Sequence, residues 1–133
     1  MRLIKTNIKK VSGIALLSVS LFMTAEASAA SVCDNAYTQA DMNKCTATEL
    51  SAEDSKLNRS YSDLQRLLSS SEKKQLKAAQ LAWIDFRDKA CQFSARSFKG
   101  GSAHSMALNG CLTTYTHQRR VQLDDDIDNI NNR

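Results

Sequence analysis

The chain has 133 residues, with 18 Lys or Arg and 14 Asp or Glu, which give a formal net charge of +4. This length predicts one domain with a modest core. Four of the cations and one of the acids lie in the first 29 residues, so the rest of the chain carries a net charge of +1. Because nucleic-acid binding needs a clustered basic face, the near-neutral remainder excludes a nucleic-acid partner.

The N-terminal segment has the features of a secretory signal peptide. A positive head precedes an apolar run over residues 11–25, and residues 27–29 end it with the small-x-small cleavage signal Ala-Ser-Ala. The run is too short to span a bilayer, which takes about 20 apolar residues. The sequence therefore predicts a cleaved signal peptide over 1–29 and a single domain over 30–133. We expect a periplasmic or secreted protein with no stable membrane anchor after cleavage.

Four cysteines follow the predicted signal peptide: Cys33, Cys45, Cys91 and Cys111. An even number of cysteines in a small exported domain favours disulfides. A zinc site is disfavoured because no Cys-x-x-Cys pair occurs, so we predict no metal. Of the three possible connectivities we expect pairing between nearest neighbours. Each bridge then stabilises the fold by about 3 kcal/mol on the chain-entropy model.

Three helices are predicted, because proline is absent and glycine is scarce. The first spans about residues 39–68, with Thr38 and Asp41 as a capping box and a possible kink at a second capping pattern over 51–54. The second spans about 72–98, with Ser69 and Glu72 as its capping box. The third spans about 103–130. It follows the helix-ending pair Gly100–Gly101 and is capped by Ser102.

Apolar residues recur at a spacing of three and four on each helix, which predicts one buried face per helix. The three stripes are Leu50, Leu57, Tyr61, Leu64 and Leu68; Leu76, Ala79, Trp83, Phe86 and Ala90; and Leu108, Leu112, Tyr115, Leu123, Ile127 and Ile130. The predicted fold is all-α, an antiparallel three-helix bundle with two disulfides. Cys91 and Cys111 lie at nearly equal distances from the Gly100–Gly101 turn, which favours their pairing. Cys33–Cys45 then ties the lead segment to the first helix.

Three charged residues fall on these apolar stripes: Asp54, Arg87 and Arg119. Unpaired charges on a buried face are costly, so we expect the three to meet. Asp54 accepts hydrogen bonds from Arg87 or Arg119, and Asn58 or Gln80 completes the network. A structural polar network is favoured over a ligand pocket, because structural ion pairs are common in such positions.

Several spaced motifs carry a resemblance to a known family. They are Gln80-x-x-Trp83-x-x-x-Arg87-x-x-x-Cys91, Gly100-Gly101-Ser102, Cys111-x-x-x-x-Thr116-x-x-Arg119-x-x-x-Leu123, Asp54-x-x-Leu57-Asn58-x-x-Tyr61, and the pair Cys33 and Cys45. Together they resemble the LprI-like lysozyme-inhibitor family over about residues 33–123. The resemblance implies an exported bacterial protein that inhibits lysozyme, the enzyme that cuts peptidoglycan.

The expected function is inhibition of lysozyme or a related peptidoglycan hydrolase by binding and occluding its cleft. The candidate partner-binding loop is Lys99, Gly100, Gly101, Ser102 and His104. Two glycines allow close backbone approach, and a nearby disulfide would keep the loop rigid. An ordinary helix-ending turn is the plainer interpretation. The acidic run 124–128 is a second candidate surface, which could attract a basic lysozyme by long-range electrostatic steering. The plainer interpretation of this run is a solvated helix end.

Other functions stay open. An immunity protein against a toxin that degrades the cell wall would look the same in sequence. An envelope binding or assembly module is also possible, with the apolar residues Leu81 and Ile84 forming a dimer face. An enzyme is disfavoured because the only histidines are His104 and His117, and no nucleophile, zinc-protease or phosphate-binding motif occurs. We predict no cofactor.

Overall fold

The computed structural model describes residue 33 and residues 35–133, so the predicted signal peptide lies outside the described residues. Three helices form: α1 (Gln39–Leu67), α2 (Ser70–Ser94) and α3 (His104–Asn131). A 3₁₀ turn (Ala95–Phe98) follows α2 directly. The predicted all-α, three-helix fold with two disulfides is confirmed. None of the helices in the described part is both long and apolar enough to cross a membrane.

The starts of α1 and α2 are held by the two predicted capping boxes. The Asp41 amide donates to Thr38 Oγ1 at 3.1 Å, and the Ser69 amide donates to Glu72 Oε2 at 2.8 Å. These bonds satisfy backbone donors that the first turn of a helix leaves unpaired. The second capping pattern over 51–54 does not break the helix, since α1 runs as one continuous helix through these residues.

The start of α3 differs from the prediction. Its N-cap is Ala103, and no local side chain caps it, so the expected Ser102 cap is wrong. Asn43 on α1 takes over this function: its Oδ1 accepts a hydrogen bond from the Met106 amide at 3.1 Å. A backbone N–H group in the first turn of α3 is therefore paired with a side chain from another helix. Local sequence patterns do not reveal such a contact.

Cross-helix contacts define the topology. Asn43 meets Met106 and Glu53 meets Arg120, so α1 and α3 run in the same direction. The Cys91–Cys111 disulfide, together with a hydrogen bond from Arg119 to Gln80, sets α2 antiparallel to α3. The chain therefore forms an up-down-up bundle. The most extensive packing is between α1 and α3, and α2 lies against this pair.

The core lies between α1 and α3. Leu57, Leu64 and Leu123 are buried at its centre. The partly buried side chains that pack around them are Tyr61, Leu68, Leu76, Trp83, Ile127 and Ile130. Burying one leucine contributes about 1.5–3 kcal/mol, so this small cluster is a main source of stability.

The inner face of α2 differs from the predicted stripe. Phe86 and Ala79 are exposed, whereas Cys91 is buried. The residues that face the other helices recur at a spacing of three and four, namely Leu76, Gln80, Trp83, Arg87 and Cys91. Two members of this face are polar, so counting apolar residues alone selected the wrong register.

The candidate partner-binding loop and its supports

The turn between α2 and α3 is a tight reversal that depends on its two glycines. The Gly101 amide donates to the Phe98 carbonyl at 2.9 Å, and the His104 amide donates to the Gly101 carbonyl at 3.2 Å. Gly100 has φ +82°, a left-handed conformation that other residues rarely adopt. A Cβ atom on Gly101 would lie only 3.3 Å from the Phe98 carbonyl oxygen. Both positions therefore favour glycine for geometric reasons.

Most of the predicted loop is presented to solvent. Lys99, Gly100, Gly101 and Ser102 are exposed, whereas His104 is half-buried at the foot of α3. The His104 Nδ1 atom is buried and makes no hydrogen bond in the described structure. The structure thus brings the first four residues together at the tip and leaves His104 beneath them.

A disulfide supports the loop from below. Cys91 and Cys111 are bonded, with Cα atoms 5.5 Å apart, and Cys91 is fully buried. This bridge joins the last turns of α2 to the second turn of α3, so it closes the base of the hairpin that carries the loop. A closed base restricts the loop's conformations and lowers the entropy lost on binding a partner.

A second support comes from α1. Asn43 Nδ2 donates to the Ser102 carbonyl at 2.9 Å, while its Oδ1 accepts from the Met106 amide at 3.1 Å and from Gln39 Nε2 at 3.1 Å. Sequence reasoning missed Asn43, whose one signal is a polar side chain in the second turn of α1, beside Cys45. The Cys33–Cys45 disulfide, with Cα atoms 5.3 Å apart, fastens the lead segment to this same region of α1.

The predicted polar network is divided in two. In one part, the Arg87 guanidinium lies 5.0 Å from the centroid of the Trp83 ring and donates to Thr116 Oγ1 at 3.1 Å. It also pairs with Asp54 at 3.4 Å and with Asp88 at 2.9 Å. Thr116 is fully buried, so Arg87 connects a buried hydroxyl to two half-exposed carboxylates.

Arg119 forms the other part. It donates to Gln80 Oε1 at 2.9 Å and to Gln122 Oε1 at 3.1 Å, and it does not meet Asp54. Burial lowers the pKa of Arg119, and the charge of Asp126 opposes that shift. Asn58 is exposed and makes no hydrogen bond to this network in the described structure. Of the expected contacts, Asp54 pairs with Arg87, whereas Arg119 lies with Gln80 in a separate cluster and Asn58 takes no part.

The buried acid is Glu53, which the sequence patterns did not single out. It is 6% exposed and accepts hydrogen bonds from Arg120 Nε at 2.7 Å and Lys56 Nζ at 3.0 Å, with His117 Nδ1 at 3.2 Å. Burial raises the pKa of Glu53, but the hydrogen bonds from Arg120, Lys56 and His117 outweigh it and lower the pKa to about 2. Glu53 repeats the spacing of the buried residues Leu57, Ser60 and Leu64. This spacing was the sequence signal that could have identified Glu53 as a buried residue.

The surface behind the loop is concave. A cavity of about 300 Å³ is lined by the Cys33–Cys45 disulfide, Met42 and Met106, among others. Cys33, Cys45 and Glu49 lie close enough together to hold a metal ion, but both sulfur atoms are bonded to each other and offer no thiolate.

Comparison with known proteins identifies a family and one relative. The family model described as lysozyme inhibitor LprI matches residues 30–123. The chain is 32% identical to an uncharacterised protein of Rhizobium meliloti (strain 1021), over 80% of this chain and 88% of that relative. No solved structure matches. The family and the two disulfides indicate an extracytoplasmic protein. Because the family model covers most of its length, the chain belongs to the LprI family of lysozyme inhibitors.

Proposed function

We propose that this protein is a periplasmic or secreted inhibitor of lysozyme or a related peptidoglycan hydrolase, delivered by a signal peptide over residues 1–29. It inserts the loop 99–102 into the catalytic cleft of its target and blocks substrate entry. Family membership supports the inhibitor role and a protein partner. The observation that carries the mode of action is the exposed loop tip, held by a disulfide below and by Asn43 behind. In this reading the protein binds its partner and has no catalytic activity.

The chemistry of the tip matches that of the cleft. Lysozyme cuts its substrate between two carboxyl groups. Lys99 places an ammonium group beside two glycines, whose lack of side chains lets the backbone enter a narrow space. Among the described residues Lys99 has no carboxylate partner, so its charge is available to a target. A cation delivered to a pair of carboxylates gains electrostatic complementarity without breaking an internal ion pair.

The acidic run 124–128 is less suited to this task. It lies on the last turns of α3, a helix of 28 residues and therefore about 40 Å long. The loop and the acidic run are thus at opposite ends of the molecule, and one small cleft cannot hold both. Asp124 already accepts a hydrogen bond from Arg120 at 2.8 Å. The loop, in contrast, carries exposed groups on a fixed backbone.

The test is a titration of lysozyme activity on peptidoglycan with the oxidised protein. Lys99→Glu is expected to weaken inhibition at least about tenfold, because it places a carboxylate against the target's carboxylates. Lys73→Glu, at an exposed site on the first turn of α2, makes the same charge change at the other end and should leave inhibition unchanged. His104→Ala tests whether the half-buried residue below the loop tip also contributes to inhibition. Equal inhibition by all four proteins would reject the loop, and no inhibition by wild type would reject that lysozyme as the target.

A binding or assembly module of the envelope is the second candidate. Leu81 and Ile84 on α2 are both exposed, where an apolar pair could form a dimer face. This function predicts a dimer in solution that Leu81→Ser dissociates, whereas a simple inhibitor remains monomeric at the same concentration. Mass measurement in solution distinguishes the two. An immunity protein would differ from a lysozyme inhibitor only in its partner, so inhibition assays against a panel of cell-wall-degrading toxins test that function.

A further inference from the structure

All three phenylalanines among the described residues lie on the surface. Phe86, Phe93 and Phe98 are 57%, 66% and 46% exposed, while the core is built mainly from leucine. Phenylalanine is among the residues most often buried, so its exposure needs an explanation. Phe86 packs edge-on against Tyr115 at 5.8 Å. Phe93 and Phe98 have no such ring partner in the described structure. Phe93 lies on the last turn of α2, and Phe98 is the last residue of the 3₁₀ turn that leads into the loop.

An arginine lies between these two rings in sequence. The Arg96 guanidinium carbon is 3.9 Å from the centroid of the Phe93 ring, and Nη1 donates to the Phe93 carbonyl at 2.8 Å. Stacking of this kind holds the guanidinium in place. Arg96 is exposed, so its remaining N–H groups are accessible to a partner. Arg96 makes no ion pair within the described chain. We call Phe93, Arg96 and Phe98 the aromatic–arginine patch.

The charged residues in the chain segment that contains the patch are all positive. No acidic residue occurs between Asp88 and Asp124, whereas Lys89, Arg96 and Lys99 all fall near the end of α2 and the loop. Lys89 is already paired with Asp85 at 2.8 Å, so Arg96 and Lys99 are the available cations there. The patch therefore complements a surface rich in carboxylates.

We propose that the aromatic–arginine patch is the anchor with which the protein grips the acidic rim of its target's catalytic cleft. The inference rests on the proposed inhibitor function and deepens it by naming a contact surface beyond the loop. Arginine and large aromatic residues are enriched among the few residues that dominate protein–protein binding energy. Arg96 offers a planar fork of donors that matches a carboxylate in two parallel hydrogen bonds. The Phe93 ring, which stacks on the guanidinium, shields that ion pair from water.

The patch is also rigid enough to act as an anchor. Ala95, beside Arg96, is almost fully buried, and so is the disulfide-bonded Cys91. The last turn of α2 and the 3₁₀ turn thus carry the exposed patch on a backbone fixed by the disulfide. Little conformational entropy is lost when a partner binds such a surface. Because Phe98 directly precedes Lys99 of the loop, one partner can contact both the patch and the loop.

The test compares charge and ring deletions in the oxidised protein, with inhibition and calorimetric binding of lysozyme as the measurements. Arg96→Glu is expected to weaken binding about 100-fold, and Phe93→Ala together with Phe98→Ala about 10- to 100-fold, the range of central interface residues. Arg96→Lys keeps the charge and loses the planar fork, so it should fall between wild type and Arg96→Glu. Since all three side chains are exposed, the variants should keep the wild-type circular dichroism spectrum and unfolding midpoint.

Two matched controls lie outside the patch. Arg59→Glu makes the same charge reversal at an exposed site on α1, and Phe86→Ala removes an exposed ring elsewhere on α2. Both should bind like wild type. If the patch variants bind like wild type while Lys99→Glu is weakened, the patch is rejected and the loop proposal stands. If wild type binds no hydrolase, both proposals fail; patch-dependent binding to insoluble peptidoglycan would then identify a glycan surface and also contradict the anchor.

Discussion

Single residues show how the fold handles charge in a small core. Glu53 and Asp54 are neighbours in the sequence, yet Glu53 is buried between α1 and α3 while the Asp54 side chain is 44% exposed. A buried carboxylate is tolerated only when its hydrogen-bonding capacity is filled. Glu53 meets this condition with Arg120, Lys56 and His117. The position is therefore structural, and its loss should show in stability before it shows in binding.

We predict that Glu53→Ala lowers the free energy of unfolding by about 2–3 kcal/mol, because it removes the shared acceptor of Arg120, Lys56 and His117 in a partly desolvated place and leaves Arg120 with Asp124 alone. The loss is smaller than for a fully buried ion pair, since the Arg120 side chain is 23% exposed. Denaturant unfolding with the disulfides intact measures the change. Asp125→Ala removes an exposed acid from α3 and should change stability by less than about 0.5 kcal/mol. Equal effects of the two variants would contradict the role of Glu53.

The same carboxylate predicts a pH dependence. The pKa of Glu53 is lowered from 4.5 to about 2 in the folded protein. Between these values the unfolded chain takes up the proton and the folded chain does not, so stability falls as the pH falls. The full effect is about 3 kcal/mol, present above pH 4.5 and lost toward pH 2. Glu53→Gln should flatten this part of the stability curve; a curve parallel to that of wild type would show that other carboxylates cause the acid sensitivity.

At the scale of elements, α3 depends on α1 for its first turn. Ala103 cannot cap the helix, and Asn43 supplies the missing acceptor from across the interface. We predict that Asn43→Ala costs about 1 kcal/mol, as loss of an N-cap does. The Met106 amide should also exchange its hydrogen faster. Asn58→Ala on the same helix is the matched control, since Asn58 is exposed, and it should leave both measurements unchanged.

The two disulfides should differ in their effect. On the chain-entropy model the bridges over 12 and 20 residues are each worth about 3 kcal/mol. Cys91 is also fully buried beneath the loop, so replacing Cys91 and Cys111 by alanine loses packing in addition. We predict that this double variant is less stable than the one lacking Cys33 and Cys45. It should also inhibit less well while still folded, which titration below its unfolding temperature measures.

The predictability of each element depended on where its polar residues lie. The bounds of α1 followed from one capping box and a mostly leucine stripe, and they were correct within one residue. The inner face of α2 was predicted only in part: Arg87 lies on it as expected, but Ala79 and Phe86 are exposed. The loop was found from Gly100 and Gly101. The support of the loop by Asn43 could not be predicted, because a hydrogen bond between residues 59 positions apart leaves no local sequence pattern.

At the scale of the whole molecule, the apolar core and the proposed partner-binding loop lie toward opposite ends of the bundle. The leucine core lies toward the end where α1 meets α2, while both disulfides lie toward the end that carries the loop. The loop end is thus stiffened by covalent bonds where the apolar core is thin. Such an arrangement lets the tip carry glycines, exposed rings and available cations without destabilising the bundle.

The charge distribution between the two ends yields a final prediction. If the loop end meets a target's carboxylates, raising the salt concentration should slow association, because the Debye length falls from about 30 Å at 0.01 M to about 3 Å at 1 M. We expect the association rate constant to fall at least about tenfold over this range for wild type. Combining Lys99→Glu with Arg96→Glu should remove or reverse this dependence, as stopped-flow mixing measures. Combining Asp125→Lys with Asp126→Lys at the far end of α3 should preserve it. The opposite result, with the acidic end controlling the salt dependence, would place the partner at the C-terminal end of α3 and contradict cleft insertion by the loop.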